Sequence, residues 1–108
     1  MKNNLVQLNG YVGDSPKIFI SKEGIKRAII RVATHDPIKY GDHKPVFGTM
    51  WHDVVAWDKK AEKAERSFVK GSRIMVWGSV GYRKYVDKSG ILHKVTEIKA
   101  VSLQNLDR

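Results

Sequence analysis

Cysteine is absent from this chain of 108 residues. Without thiols the protein forms no disulfide, offers no thiolate nucleophile and has no cysteine-ligated zinc site. Long apolar runs are absent too: no segment approaches the roughly 18 apolar residues that cross a bilayer, and residues 1–5 lack the apolar stretch of a signal peptide. We therefore expect a soluble, cytoplasmic protein whose stability comes from packing and hydrogen bonds.

Acidic residues are scarce. The sequence holds 11 Asp and Glu against 20 Lys and Arg, which gives a formal net charge of +9 at pH 7. The basic residues are spread along the whole chain, so the excess belongs to the folded surface and not to an appended arm. An acidic partner is expected, and charge alone leaves three choices open: nucleic acid, an anionic membrane surface or an acidic protein.

Apolar residues make up 42% of the chain, enough for one core, so residues 1–108 are expected to form a single domain. They alternate along the chain more often than they recur at helical spacing. Strands rich in Val, Ile and aromatic residues are predicted at 5–12, 27–34, 50–57, 73–80, 82–86 and 91–101. Turn signals at 21–24 and 87–90, each ending in Gly, should join neighbouring antiparallel strands.

One short helix is predicted at 58–68. Ala61, Ala64 and Phe68 form a narrow apolar stripe at spacings of three and four residues, and the Asp58 carboxylate is expected to cap the first turn. Three strands, a helix and further strands is the order of an oligonucleotide-binding (OB) barrel. The predicted fold class is therefore all-β: a five-stranded OB barrel with one short helix between strands 3 and 4. A β-sandwich also fits the pattern.

The predicted strand at 50–57 carries two tryptophans. Trp51 and Trp57 are six residues apart, so strand alternation puts them on one face with Asp53 and Val55. Since the core needs only the opposite face, two flat rings remain on a strongly basic protein. Cations for phosphates and aromatic planes for unpaired bases are what a single strand of nucleic acid binds. The alternative is that the rings belong to the core, where strand tryptophans more often lie.

Residues 35–49 join two predicted strands and are too many for a tight turn. Two prolines and two glycines interrupt the segment, and loops of this length in compact domains are usually functional or mobile. Lys39, Tyr40 and Lys44 are its candidate nucleic-acid contacts. We expect a binding loop, and the alternative is a twisted hairpin extension with a solvated surface.

Blocks of sequence spread over nearly the whole chain follow one known pattern in order. The first is Leu8-Asn-Gly-Tyr-Val-Gly-Asp-Ser-Pro16, an opening strand and turn. The later blocks lie at 32–34, 51–62, 69–72, 83–85, 87–90 and 96–98. In residue type, order and spacing they resemble the bacterial single-stranded DNA-binding protein family.

The resemblance implies an OB barrel that wraps single-stranded DNA without strong sequence preference. Such a protein would protect single strands in replication, recombination or repair at the nucleoid, as a homotetramer built from two dimers. By position, the resemblance implies stacking by Trp51, Trp57, Tyr85 and Tyr40, and it matches Arg83 and Lys84 to basic residues of the family motif. The alternatives are a protein like primosomal replication protein N, or a basic β module for acidic proteins or anionic lipid.

The chain departs from the family pattern at several points. Asp53 and Gly81 stand where Arg is common, and Arg31, at a position usually small and polar, is expected to compensate by contacting DNA. Nothing resembles the family's flexible linker and acidic C-terminal tip. We therefore expect no recruitment of protein partners by that route.

Trp77 replaces a residue that is typically acidic in the family. Strand alternation places it with Arg73 and Met75, opposite the core-facing Ile74 and Val76. An exposed Trp–Met pair suits a subunit interface or an additional stacking site, and the resemblance favours the interface.

Catalysis has one signal in the sequence. His35-Asp36 and His52-Asp53 are dipeptides that supply adjacent ligands in metal-dependent phosphohydrolases. Adjacent strand residues face opposite sides, so they cannot easily share one ion, and no Gly-rich phosphate loop, nucleophile elbow or Cys/His metal set appears. We expect no enzyme activity, no metal and no cofactor.

Overall fold

Six strands and one helix make up the part of the chain that the computed structural model describes, residues 3–42 and 44–107, with Tyr40 as backbone only. The strands are β1 (Val6–Val12), β2 (Lys17–Ile20), β3 (Lys26–Tyr40), β4 (Pro45–Trp57), β5 (Arg73–Val86) and β6 (Leu92–Asn105), and helix α1 (Lys59–Ser67) lies between β4 and β5. Helix α1 has nine residues, and no helix in the described ranges has the length and apolar character to cross a bilayer.

The strands form one sheet in the order β1-β5-β6-β4-β3-β2, and β1 closes it by also pairing with β3. At this seam Tyr11 lies opposite Ala33, and Val12 lies opposite Val32. Gly10 permits the close approach, because a Cβ atom there would overlap the carbonyl oxygen of Ala33. Strand β2 pairs only with β3 and lies outside this closure, so the closed barrel consists of five strands: β1, β3, β4, β5 and β6. Helix α1 follows β4, the third of these five. The predicted OB barrel is confirmed.

One apolar core fills the barrel, and α1 packs against β3, β4 and β6 beside it. Ala61, Ala64 and Phe68 are buried, as the apolar stripe predicts. Full burial of a ring such as that of Phe68 contributes about 1.5–3 kcal/mol. The strands contribute Val12, Ala28, Ile30, Val32, Val54, Ala56, Ile74, Val76, Ile98, Ala100 and Leu103 to the core.

Asp58 begins the helix in a different way from the one predicted. Its φ of 56° lies in the left-handed region, and its side chain makes no capping hydrogen bond. Instead its backbone N–H donates to the carbonyl oxygen of Lys26 at 2.8 Å, and its own carbonyl accepts from Glu62 N–H at 3.0 Å. The expected carboxylate cap is therefore wrong, because Asp58 is held by the end of the β3–β4 ladder while the chain turns into α1.

Residues 35–42 and 44–49 form a hairpin instead of the predicted loop, while the predicted contact of this segment with nucleic acid stays a prediction. Antiparallel pairing of β3 with β4 continues until Tyr40 lies opposite Pro45, with one register shift between Pro37 and Lys39. Proline lacks an N–H for the ladder, and a shift in register accommodates it. The segment is the hairpin extension that the sequence left as the alternative.

Two other strand assignments also change. Lys17–Ile20 forms the short strand β2, which pairs with β3 and was not predicted. The segments predicted at 73–80 and 82–86 are one continuous strand, β5, because Gly81 keeps its place opposite Glu97. The first change adds a strand to the sheet beside β3.

Candidate nucleic-acid interface

The outer face of β4 carries the two tryptophans. Trp51 is 52% exposed and Trp57 43%, whereas Val54 and Ala56, on the opposite face, are fully buried in the core. The predicted sharing of a face is confirmed, and the alternative of core tryptophans is excluded. Val55, between the two rings, is buried on the outer face.

Trp57 ends a row of side chains that crosses three strands. Phe19 of β2 lies opposite Arg27 of β3, which lies opposite Trp57 of β4. The Arg27 guanidinium carbon is 4.9 Å from the centroid of the Phe19 ring and 5.8 Å from that of Trp57. Such distances allow cation–π attraction, so the row presents two rings bridged by one cation.

Sequence reasoning missed Phe19 and Arg27. Phe19 is 45% exposed and lies in the unpredicted strand β2. The turn at 21–24 was the available signal, since it predicts that the residues before it pair with those after it. The register needs one more fact: the loop extends to Ile25, whose carbonyl oxygen accepts from Ser21 N–H at 2.9 Å, and this places Phe19 opposite Arg27.

A second cluster on the outer face contains Trp51 of β4 and Arg31 of β3, and Arg31 is four residues from Arg27. The Arg31 guanidinium carbon lies 5.0 Å from the centroid of the Trp51 ring, and Arg31 Nε lies 3.4 Å from Asp53 Oδ1. Arg31 therefore lies on the aromatic face with its charge shared with Asp53, and its contact with DNA stays a prediction. A groove of about 650 Å³ separates the two clusters, lined by Ser15, Phe19, Arg31, Trp51 and Asp53 among others.

Gly13 fixes the position of the Trp51 ring. A Cβ atom at residue 13 would overlap Cζ3 of the indole and lie 2.8 Å from Cη2. The Gly13 N–H donates to the carbonyl oxygen of Arg31 at 2.8 Å, which holds this backbone beside β3. The ring therefore packs against a surface that only glycine leaves open.

Tyr85 lies near the end of the β5–β6 hairpin. It is 44% exposed and stacks on His93, its partner across the ladder, with ring centroids 4.9 Å apart and planes 14° apart. The Arg83 guanidinium carbon is 5.5 Å from the Tyr85 centroid, and Arg83 Nε is 3.5 Å from Glu97 Oε2. Tyr85 is thus a third exposed ring with an arginine beside it.

The turn beyond Tyr85 holds His93 in place. His93 Nε2 donates to Asp87 Oδ2 at 2.7 Å, while Asp87 Oδ1 accepts from the backbone N–H groups of Ser89 and Ile91. The bond with His93, and then the bond from Ile91, lower the pKa of Asp87 below its ordinary value of 3.8. The ring beneath Tyr85 is therefore positioned by an ionised carboxylate near neutral pH.

One row of partners connects the tyrosine side of the sheet with the tryptophans. Ser79 lies opposite Lys99, Lys99 opposite Val55, Val55 opposite Ile29 and Ile29 opposite Lys17. Because even spacing along a strand preserves the face, Tyr85 shares the side of β5 on which Ser79 lies. The three predicted stacking residues therefore share one continuous outer face of the sheet.

Other predicted contacts lie elsewhere. Lys84 is exposed on the face of β5 opposite Arg83 and Tyr85. Lys39 and Lys44 are exposed on the β3–β4 hairpin, away from the rows described above. The side chain of Tyr40 lies outside the described residues.

The predicted interface residues face outward on β5. Trp77 is 37% exposed and Met75 is half-buried, with Gln7 of β1 opposite Trp77. Asp107 accepts from the backbone N–H of Arg73 at 2.8 Å and from Arg73 Nε at 3.1 Å, and these two bonds, the backbone bond first, lower the pKa of Asp107. Trp77 and Met75 are the apolar part of this face.

The histidine–aspartate dipeptide of β4 is split between the two faces. His52 Nε2 is 2.8 Å from Thr34 Oγ1, which also hydrogen-bonds Asp36. Asp53 instead pairs with Arg31 on the outer face. Within residues 3–42 and 44–107, no three His, Cys, Asp or Glu side chains are grouped to hold a metal ion.

The sequence is similar to known single-stranded DNA-binding proteins along nearly its whole length. The model of the single-strand binding protein family matches residues 3–106. The chain is 35% identical over 106 residues to single-stranded DNA-binding protein 1 of Xylella fastidiosa (strain 9a5c), covering 97% of this chain and 78% of that protein. It is 31% identical over 109 residues to the single-stranded DNA-binding protein of Bacteroides thetaiotaomicron, covering 98% and 67%.

Gly13→Ala should displace the Trp51 ring without unfolding the barrel, because the added methyl group meets the end of an exposed side chain. The measurement uses a background in which Trp57 and Trp77 are Phe, so that Trp51 is the only indole. We expect a changed emission maximum and greater acrylamide quenching, with little change in melting temperature. Gly81→Ala is the control, since the nearest atom to its Cβ would be 4.0 Å away. Parental emission and quenching in Gly13→Ala would contradict the proposed contact.

Proposed function

Because the chain belongs to the single-strand binding protein family, we propose that it binds single-stranded DNA across the outer face of β2, β3, β4, β6 and β5. One observation carries the proposal: three arginines on this face each have their guanidinium carbon 4.9–5.8 Å from the centroid of an exposed aromatic ring, and Arg27 lies beside two such rings. These ring–arginine units are Trp51 with Arg31, Trp57 with Arg27, and Tyr85 with Arg83.

Each ring–arginine unit offers the two contacts that a nucleotide of a single strand needs. An unpaired base stacks on the ring, which contributes about 1–3 kcal/mol per base. The guanidinium group donates charge-assisted hydrogen bonds to a neighbouring phosphate. Because every base has a flat face, this mode of binding accepts strands without a defined sequence.

The biological role that fits is protection of single strands during replication, recombination or repair, in the cytoplasm and on nucleoid DNA. The protein binds the strand and performs no reaction on it. Lys39, Tyr40 and Lys44 of the β3–β4 hairpin extend the contact beyond the ring–arginine units, and Lys84 adds positive charge from the other side of β5. A basic module for acidic proteins or anionic lipid would need the lysines but not the exposed rings.

We propose that subunits associate through the part of the outer face of β5 that carries Arg73, Met75 and Trp77. An exposed indole beside a thioether is an aggregation liability unless another subunit covers it. Aromatic residues and methionine are enriched in the cores of protein interfaces. We propose that this contact belongs to a homotetramer formed from two dimers, the assembly that the family resemblance implies.

The direct test is titration of the protein with oligo-dT at several salt concentrations while tryptophan fluorescence is followed. Stacking should quench the emission. The logarithm of affinity should fall linearly with that of salt, by about 0.7 per phosphate neutralised on a single strand. Tight binding that ignores salt would contradict the contribution of the arginines, and displacement of DNA by an acidic protein at equal charge would favour the basic module.

Removal of a ring should weaken DNA binding and leave the fold intact. Trp51→Ala, Trp57→Ala and Tyr85→Ala should each reduce affinity for oligo-dT roughly tenfold or more, the loss of one stacked base. Tyr82→Ala is the matched control: Tyr82 is even more exposed to solvent than the three rings and has Lys94 Nζ 4.6 Å from its ring centroid, but it lies on the opposite face of β5. Parental affinity in a variant with a parental melting temperature would show that its ring is not a platform.

Trp77→Glu should shift the assembly towards dimers at low protein concentration, because it places a charge in an apolar contact. Analytical ultracentrifugation of parent and variant measures the change. Tyr82→Glu, which adds the same charge to the other face of β5, should leave the mass unchanged. Affinity for a short oligo-dT should change little, so an unchanged mass with a large loss of binding would move Trp77 from the interface to the DNA path.

A further inference from the structure

A carboxylate lies in the middle of the aromatic face. Asp53 is two residues from Trp51 on the outer face of β4, and two positions along a strand span about 7 Å. Its Oδ1 atom is 3.4 Å from Arg31 Nε, and 42% of its side-chain surface is exposed. Trp51, Arg31 and Asp53 line the same groove of about 650 Å³. A base stacked on Trp51 would lie beside both charged groups, Asp53 and Arg31.

The charge of Asp53 favours one part of a nucleotide over another. A phosphate beside the carboxylate is repelled, and the ion pair with Asp53 weakens, without removing, the attraction of the Arg31 guanidinium group for a neighbouring phosphate. The edge of a base is not repelled if it offers an N–H group. Because an ionised carboxylate only accepts hydrogen bonds, the groove favours bases whose exposed edge is rich in donors.

Cytosine and thymine differ at this edge. Cytosine carries an N4 amino group, which Asp and Glu accept from in protein–DNA complexes, whereas thymine carries the O4 acceptor at the same position. Cytosine also offers acceptors for the Arg31 guanidinium group. The one N–H group on the thymine edge lies between two carbonyl oxygens, which the carboxylate repels. Adenine and guanine, like cytosine, carry an exocyclic amine.

We propose, as a refinement that rests on the proposed function, that the groove formed by Trp51, Arg31 and Asp53 prefers bases with an exocyclic amine over thymine. The preference concerns base composition and not a defined sequence. One groove contacts one base at a time, while Trp57 and Tyr85 stack on any base.

The test compares oligo-dC with oligo-dT of equal length, with oligo-dU as a third strand that removes the thymine methyl group. Affinities are measured with the full chain at one salt concentration, in mildly alkaline buffer, by competition against a labelled oligonucleotide. We expect oligo-dC to bind about fivefold or more tightly than either other strand, as one hydrogen bond to a charged group implies. Equal affinities, or tighter binding of oligo-dT, overturn the proposal and leave the proposed function standing. Failure to bind any of the three overturns both.

Asp53→Asn tests the contribution of the carboxylate while the rest of the groove stays unchanged. The amide keeps the shape of the side chain, removes its charge and adds an N–H donor for thymine O4. The ratio of oligo-dC to oligo-dT affinity should fall close to unity, chiefly because oligo-dT binds more tightly. Glu65→Gln is the matched control. It neutralises a carboxylate on α1 that lies 2.9 Å from Lys26 Nζ of β3, and it should keep the parental ratio. A parental ratio in Asp53→Asn overturns the assignment to Asp53.

Discussion

The pairing of β1 with both β3 and β5 closes the sheet, and closure divides every strand into an inner and an outer face. Gly10 allows β1 to approach β3 closely enough for closure, because a side chain there would collide with the backbone of Ala33. Once the inner face is filled by aliphatic residues and Phe68, the core has no room for the tryptophans of β4. Their exposure follows from the alternation of the strand and not from any property of the indole.

Arginine is the second recurring element of the outer face. Arg31 lies between a ring and the Asp53 carboxylate, and Arg83 lies between a ring and the Glu97 carboxylate. Part of the charge of each arginine is therefore neutralised within the protein. Within the described ranges, Arg27 makes no such ion pair and lies between two rings instead. In the proposed mode of binding, a planar guanidinium group that already rests on a ring loses little freedom when it takes up a phosphate.

Sequence reasoning predicted the barrel, the helix and the shared face of the tryptophans because each depends on a period of two or about four residues. It failed where the result depends on pairing between distant segments. The prolines and glycines of 35–49 suggested a loop, although the ladder between β3 and β4 continues through them. The opposition of Phe19, Arg27 and Trp57 needs the register of three strands, which no local pattern records. The roles of these residues in binding stay predictions.

The ladder between β3 and β4 is unbroken from Arg27 opposite Trp57 to Pro37 opposite Phe47. The interval between Trp51 and Trp57 is therefore set by the backbone at about 20 Å, six residues of extended strand. Side-chain changes can abolish a platform but cannot move it along the sheet. In the proposed mode of binding, the protein is a template of fixed spacing, and a bound strand supplies the adjustment by bending or looping between its stacked bases. The entropy lost on binding then falls mainly on the nucleic acid, which makes affinity sensitive to the stiffness of the strand.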